Sequence, residues 1–214
     1  MTENNNNNNS NTKNSSSKPL IAIIAAMSEN NVISLGNEIP WYIRNDLKRF
    51  KMLTTGNEVI VGRKTYESLI KKFSSEKVLP NRDLKIISSQ EGYHALDNRE
   101  LYTSIESAIK ASDKQLIWSI GGGQIYSETI KYADVMEITK VNKLFANPHI
   151  NKIFFPPINH SEWTPIRNEK FEGYSFITYI RNDDENGTLD NRIQKYERII
   201  KEENKQMLKN KIYN

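Results

Sequence analysis

The chain has 214 residues, a formal net charge of +4, three histidines and no cysteine. The absent thiols exclude disulfides, thiolate nucleophiles and cysteine-ligated zinc, and the mild basic excess forms no block interleaved with aromatics, which gives a nucleic-acid role little support. No apolar run approaches the roughly 20 residues that span a bilayer, so a cytoplasmic protein that makes no membrane contact and binds small molecules is expected.

Residues 1–19 open with six asparagines, Asn4 to Asn9, followed by more Asn, Ser and Lys, and contain no aromatic residue. Such a segment buries too little apolar surface to offset the entropy of ordering, so a disordered tail is expected. The first apolar run, Leu20 to Met27, arrives too late and is too short for a signal peptide. Its unbroken character suits a central strand covered on both faces. Asn45–Leu53 reads as a helix with Leu47, Phe50 and Leu53 inward, Glu58–Gly62 as a buried strand ending at a glycine, and Thr65–Lys72 as a helix. Lys85–Ser89 reads as a strand and Ser104–Ser112 as a helix begun by a serine cap. Gln115–Ile120 is a strand, Gln124–Ala133 a helix and Val135–Val141 a strand. Trp163–Arg167 and Tyr174–Arg181 alternate as an antiparallel pair. Strand-helix alternation closed by a strand pair predicts an α/β domain: a mostly parallel twisted sheet with an antiparallel C-terminal edge and helices on both faces.

Beyond the polar breaker Asp183-Asp-Glu-Asn-Gly187, Leu189, Ile193, Tyr196 and Ile200 recur at spacings of four, three and four. That makes one amphipathic stripe, which fails at Glu203. The expected organisation is therefore a tail over 1–19, one domain over 20–182 that folds alone, and a charged helical extension over 183–214. A monomer is expected, with a dimer through the last helix as the weaker alternative.

Four segments carry chemistry. Ile120-Gly-Gly-Gly-Gln-Ile-Tyr126 follows a β-patterned run and restarts as a helix, so glycines that tolerate positive φ place bare N–H groups at a helix N-terminus. A pyrophosphate can lie there, although a ligand-free tight turn has about even odds on the glycines alone. In Val59-Ile-Val-Gly-Arg-Lys-Thr65 a strand delivers Arg63, Lys64 and Thr65 to a helix start, two cations and a hydroxyl suited to phosphate, or else plain solvated charge. Ser88 and Ser89 follow a strand at the end where open α/β sheets bind ligands. Asp46 sits among Ile43, Leu47 and Phe50 on a helix; it is a buried acid or simply a first-turn acid facing the helix dipole.

Taken in order, IAIIAAM, NVISLGNEIPW, DLKRF, VIVGRKTYES, LPNR, KIISSQ, WSIGGGQIY, EITK and FFP closely resemble dihydrofolate reductase over about residues 20 to 181. Each motif is weak; their ordered succession is specific. The resemblance implies transfer of hydride from NADPH to C6 of dihydrofolate with protonation at N5. It assigns Asp46 to the acid that grips the pteridine and assists proton delivery, Thr139 to the threonine that hydrogen-bonds it, and Trp41 to the tryptophan beside the water route. Ile24 and Ala26 then line the pocket from the first strand, Phe50 packs on the pterin and aminobenzoyl rings, and Arg82, after Leu79, holds the glutamate α-carboxylate. For the cofactor, Ile120, Gly121, Gly122, Gly123, Gln124 and Ile125 fall on the pyrophosphate turn and Tyr126 beside the nicotinamide, with Ala26 nearby. Arg63, Lys64, Thr65, Ser88 and Ser89 fall on residues binding the pyrophosphate and the 2′-phosphate. Val32 to Glu38, including Ile33 and Asn37, matches the mobile loop covering the nicotinamide. Ser34, where the family often has glycine, and Lys152, in a stretch where it often has an aspartate, depart from the pattern and bear on loop motion. The rivals are a fold-related reductase of riboflavin synthesis acting on a ribosylated pyrimidine and a degenerate folate-binding protein. The first is disfavoured by the pairing of Asp46 with Thr139 and by Arg82, the second by the intact acid and glycine turn. No metal is expected.

Overall fold

The computed structural model describes residues 18–73, 78–96 and 99–212, with side chains through residue 206. The disorder expected of residues 1–17 concerns a segment outside the described residues. At the centre lies β1 (Leu20–Ser28). Ile21, Ile23, Ala25 and Met27 enter the core on one face, and Leu20, Ala22 and Ile24 enter the core on the other. Two covered faces explain why the run is apolar throughout rather than alternating.

β1 pairs in parallel with β6 (Leu116–Ser119) and with β7 (Val135–Val141). Beyond β6 the sheet continues in parallel through β3 (Glu58–Gly62), β4 (Asp83–Ile87) and β5 (Glu100–Tyr102). Beyond β7, β10 (Tyr174–Arg181) and β9 (Trp163–Phe171) add antiparallel. The order β5-β4-β3-β6-β1-β7-β10-β9 is the α/β arrangement with an antiparallel C-terminal edge that the alternation predicts. Sequence patterning misses β5, because its three residues leave only Tyr102 half-buried.

α3 (Ile105–Lys110) and α4 (Gly123–Thr129) cover one face, while α1 (Arg44–Thr54), α2 (Arg63–Phe73) and α5 (Leu189–Ile212) cover the other. Ser104 caps α3 as expected, its hydroxyl accepting the Ser107 N–H at 3.1 Å. On α1 the inward face needs correction. Leu53 is buried, but Leu47 is 49% exposed and Phe50 only half-buried. α1 lies beside the carboxyl ends of β1 and β7, so the start of its apolar side borders a cleft and only its last turn reaches the core. A separate ribbon, β2 (Val32–Leu35) paired antiparallel with β8 (Lys152–Phe154), rests against the glycine turn.

α5 departs from the sequence reading at one position. Its apolar stripe packs on the sheet as the spacing implies, Tyr196 buried and Leu189, Ile193 and Ile200 half-buried against the core, with Arg192 and Ile199 buried beside it. Arg192 is the buried position that a purely apolar stripe has no place for. Its guanidinium pairs with Asp134 at 3.3 Å and with Asp184, and donates to the carbonyls of Asn182 at 2.7 Å and Gly187 at 3.0 Å. Tyr196 and Ile199 join Leu20, Ala22, Val59, Trp118 and Val135 in one core. A boundary at residue 182 therefore cuts through a packed face, and α5 turns its apolar side to its own sheet.

Fully burying a large side chain contributes about 1.5–3 kcal/mol, against a total domain stability of roughly 5–15 kcal/mol. Ending the chain at Asn182 should therefore give insoluble protein or a sharply lowered thermal midpoint relative to the full chain. Ile199→Ala should lose about 2–5 kcal/mol in urea unfolding.

Candidate active site

The register of β1 and β7 sets Thr139 beside Ala26, and α1 brings its first-turn acid over that point. Thr139 Oγ1 donates to Asp46 Oδ1 at 2.6 Å. Burial pushes the Asp46 carboxyl above its ordinary value of 3.8, outweighing the Thr139 hydrogen bond and the Arg49 charge, which pull the other way. A partly desolvated acid with a raised pKa is suited to exchanging protons. Tyr126 donates its hydroxyl to the Ile24 carbonyl at 2.8 Å. Burial first, and the Asp46 charge second, push its pKa up, so it stays neutral. All three histidines, His94, His149 and His160, are exposed. Trp41 carries a buried Nε1–H without a protein acceptor among the described residues, a donor open to water or ligand.

At the far end of α1, Arg82 is 7% exposed. Its Nε donates to Thr54 Oγ1 at 2.7 Å, Nη1 to the Pro80 carbonyl at 2.8 Å and Nη2 to the Lys51 carbonyl at 3.4 Å. The guanidinium lies 5.5 Å from the Phe50 ring centroid, and burial lowers its pKa. Three protein contacts on a five-donor fork fix its orientation and leave donors for a carboxylate. Leu79 adopts φ +51° and is half-buried beside it. Ile24 is buried and Ala26 half-buried on β1, so Ile24, Ala26, Asp46, Phe50, Leu79, Arg82 and Thr139 gather along one side of α1 and the strand ends.

The glycine turn is tied to the neighbouring strand by Gly62 N–H donating to the Gly121 carbonyl at 2.8 Å and Ile120 N–H to the Ile60 carbonyl at 3.0 Å. Gly121 has φ +94°, and a Cβ there would sit 2.5 Å from the Tyr126 ring; one on Gly122 would sit 2.9 Å from Thr65 Oγ1. Neither position admits a side chain. Gly122 opens α4 without a side-chain cap, so the backbone at the start of α4 faces the Thr65 hydroxyl at the start of α2. Arg63 bonds Glu67 at 3.0 and 3.1 Å and lies 5.6 Å from the Tyr93 ring centroid, while Lys64 is exposed. Ser88 and Ser89 follow β4 instead of ending it; the ladder stops at Ile87 and Ser88 N–H bonds the Tyr102 carbonyl at 3.0 Å. Gln124 points to Glu128 at 2.9 Å, and Ile125 and Tyr126 are buried.

The segment from Val32 to Glu38 is not a loop throughout. Val32 and Ile33 are buried in β2, and only from Gly36 does the chain turn outward to the exposed Asn37. Ser34 pairs with Ile153, Leu35 pairs with Lys152, and Ser34 Oγ donates to the Gly36 carbonyl at 3.1 Å. The two departures from the family pattern thus share one ribbon. Sequence reasoning missed Glu137, a carboxylate 2% exposed on β7; its signal was an acid between the apolar residues Met136 and Ile138.

A family model described as dihydrofolate reductase matches residues 20–181. The chain belongs to the dihydrofolate reductase family. It is 35% identical over 170 residues to the dihydrofolate reductase of Neisseria meningitidis serogroup A, covering 75% of this chain and 98% of that one. It is 31% identical over 156 residues to the Bacillus subtilis enzyme, covering 71% and 84% of the two chains. Among solved structures, dihydrofolate reductase from Enterococcus faecalis, complexed with NADP(H) and RAB-propyl, superposes with a TM-score of 0.66 at 28% identity, covering 78% of this chain and 98% of that one. α5 begins beyond the residues matched to the family.

The raised Asp46 pKa has a consequence for folding. The folded state holds the proton above pH 3.8 more tightly than the unfolded chain does, so the ionised acid opposes folding as pH rises through its folded pKa. Asp46→Asn should therefore raise the thermal midpoint at pH 7 relative to the native chain, with the gain vanishing below pH 4; an unchanged difference across that range would contradict the desolvation reading.

Proposed function

We propose that the chain reduces 7,8-dihydrofolate to 5,6,7,8-tetrahydrofolate with NADPH, hydride going to C6 and a proton to N5. The observation that carries the reading is the half-buried Asp46, held by Thr139 at the carboxyl end of β7 and raised in pKa by desolvation. The family membership and a solved relative complexed with NADP(H) support the cofactor. A reductase acting on a ribosylated pyrimidine is not favoured, nor is a non-catalytic folate binder.

The residues fit NADPH at a place where side chains are excluded. Gly121 and Gly122 leave room for a pyrophosphate against bare N–H groups, and Thr65 supplies a hydroxyl within reach. Arg63, Lys64, Ser88 and Ser89 supply charge and hydroxyls for the 2′-phosphate. When bound, the nicotinamide supplies the hydride. Asp46 accepts the pteridine 2-amino group and ring N–H in paired charge-assisted hydrogen bonds and, by its raised pKa, helps a proton reach N5 through water. The Trp41 indole N–H orients that water. Phe50 and Ile24 hold the rings, and Arg82 binds the glutamate carboxylate bidentately. Ile33 and the turn through Asn37 cover the nicotinamide side and exclude solvent. We further propose a monomer in which residues 20–200 form the catalytic unit. Among the described residues no helix is long and apolar enough to cross a membrane.

Oxidation of NADPH followed by absorbance in the presence of dihydrofolate tests the reading. Asp46→Asn should lower turnover at neutral pH by about 10²–10⁴-fold, with partial recovery at low pH where solvent protonates N5; near-normal turnover at all pH values would sink the assignment. A second outcome concerns the nucleotide. If one charge-assisted contact contributes about 1.5–3 kcal/mol, losing it weakens binding roughly ten- to a hundredfold. Arg63→Ala should raise the KM for NADPH by about that factor and leave the KM for NADH nearly unmoved, and equal effects would reassign Arg63 to the pyrophosphate or to its bond with Glu67.

A further inference from the structure

We propose that Tyr196 of α5 is a positioning residue for the reductase site, acting through Glu137 and Arg49 on the helix that carries Asp46. The proposal rests on the reductase reading above and extends it to a helix beyond the residues matched to the family.

Glu137 lies on β7 two residues before Thr139, so both side chains leave the same face of the strand. A carboxylate 2% exposed needs donors on every side. It receives three from three elements: Arg49 Nη2 from α1, Thr178 Oγ1 from β10 at 2.9 Å, and Tyr196 Oη from α5 at 2.5 Å. The Tyr196 hydroxyl is the donor recorded to Glu137 Oε1, and burial and the Glu137 charge hold it well above the ordinary phenol range. It therefore donates at any pH the enzyme meets.

Arg49 makes the connection to chemistry. It follows Asp46 by three residues on α1, one turn along, and its guanidinium lies 4.6 Å from the Phe176 ring centroid while paired to Glu137. Pinning this side chain pins the first turns of α1 against the sheet, where Thr139 meets Asp46. The groups facing Asp46 are Arg49 from its own helix, Thr139 from β7 and Tyr126 from α4. Glu137 faces Asp46 only through Arg49, whose charge it offsets.

The two ends of this relay act on the Asp46 proton with opposite signs. Removing the Tyr196 hydroxyl takes the positive end of an O–H dipole from Glu137, leaving its charge less compensated and Arg49 drawn more fully to it. The Asp46 carboxylate is then favoured less. Neutralising Glu137 instead frees the Arg49 charge, and the carboxylate is favoured more.

The test uses the full chain. Tyr196→Phe keeps the ring and its packing, and should raise the KM for dihydrofolate about three- to tenfold, the loss of one hydrogen bond. The KM for NADPH should stay put, and the pH at which turnover falls by half should rise. Glu137→Gln should move that pH down. Tyr196→Phe with dihydrofolate KM and pH midpoint both at wild-type values, whatever happens to its melting temperature, makes Tyr196 a packing residue and overturns the proposal; so do both variants moving the midpoint the same way. Should Glu137→Gln not fold, the Tyr196→Phe readouts decide alone. Wild-type protein is the control: absence of dihydrofolate turnover there refutes the reductase reading, whereas normal wild-type turnover with unmoved variants refutes only the relay.

Discussion

A carboxylate placed inside a sheet must be surrounded by donors or the sheet does not close over it. Glu137 sets that demand on β7, the strand that joins the parallel half of the sheet to its antiparallel edge. The demand is met by α1, β10 and α5 together, so three elements distant in sequence are drawn to one point. An apolar residue at this position would have let each pack independently. With an acid there, the orientation of α1 over the strand ends is coupled to the helix that ends the chain.

Two residues further along β7 the opposite strategy holds. Asp46, on α1 against Thr139, is half-buried, accepts a side-chain hydrogen bond from Thr139, and has capacity to accept more. One carboxylate is satisfied by protein and fixed; the other is left partly unsatisfied, with its pKa raised, for a ligand to complete. The contrast between the two acids, one on β7 and one on the helix above it, lies in how far protein donors satisfy each. The glycine turn follows the same logic with backbone: a Cβ on Gly121 would collide with the Tyr126 ring and one on Gly122 would crowd Thr65, so the turn stays free of side chains.

The apolar runs of β1, β3 and β6 were legible because burial on both faces writes itself into composition. The site motifs were legible because glycines, an acid among apolar residues and a strand ending at a cation cluster are local signals. β5 was not, because it is three residues long and only Tyr102 is half-buried against the core. The apolar stripe of α5 was legible in its spacing, but the buried Arg192 beside it was not, because periodicity counts apolar residues and Arg192 is satisfied by Asp134, Asp184 and carbonyls that sequence spacing does not reveal. The relay through Glu137 was equally hidden, since its partners are contributed by residues 49, 178 and 196, long-range neighbours that only the assembled sheet brings together.

The position of α5 bears on how the chain matures during synthesis. Domains generally fold as units from the N-terminus while translation proceeds, and every motif of the reductase has left the ribosome before α5 does. Until Tyr196 and Arg192 arrive, Glu137 has only Arg49 and Thr178 as donors, and Asp134 has the Ile21 N–H but not the Arg192 guanidinium. The site residues of the nascent chain thus come together before α5 docks and completes the polar shell around Glu137 and Asp134.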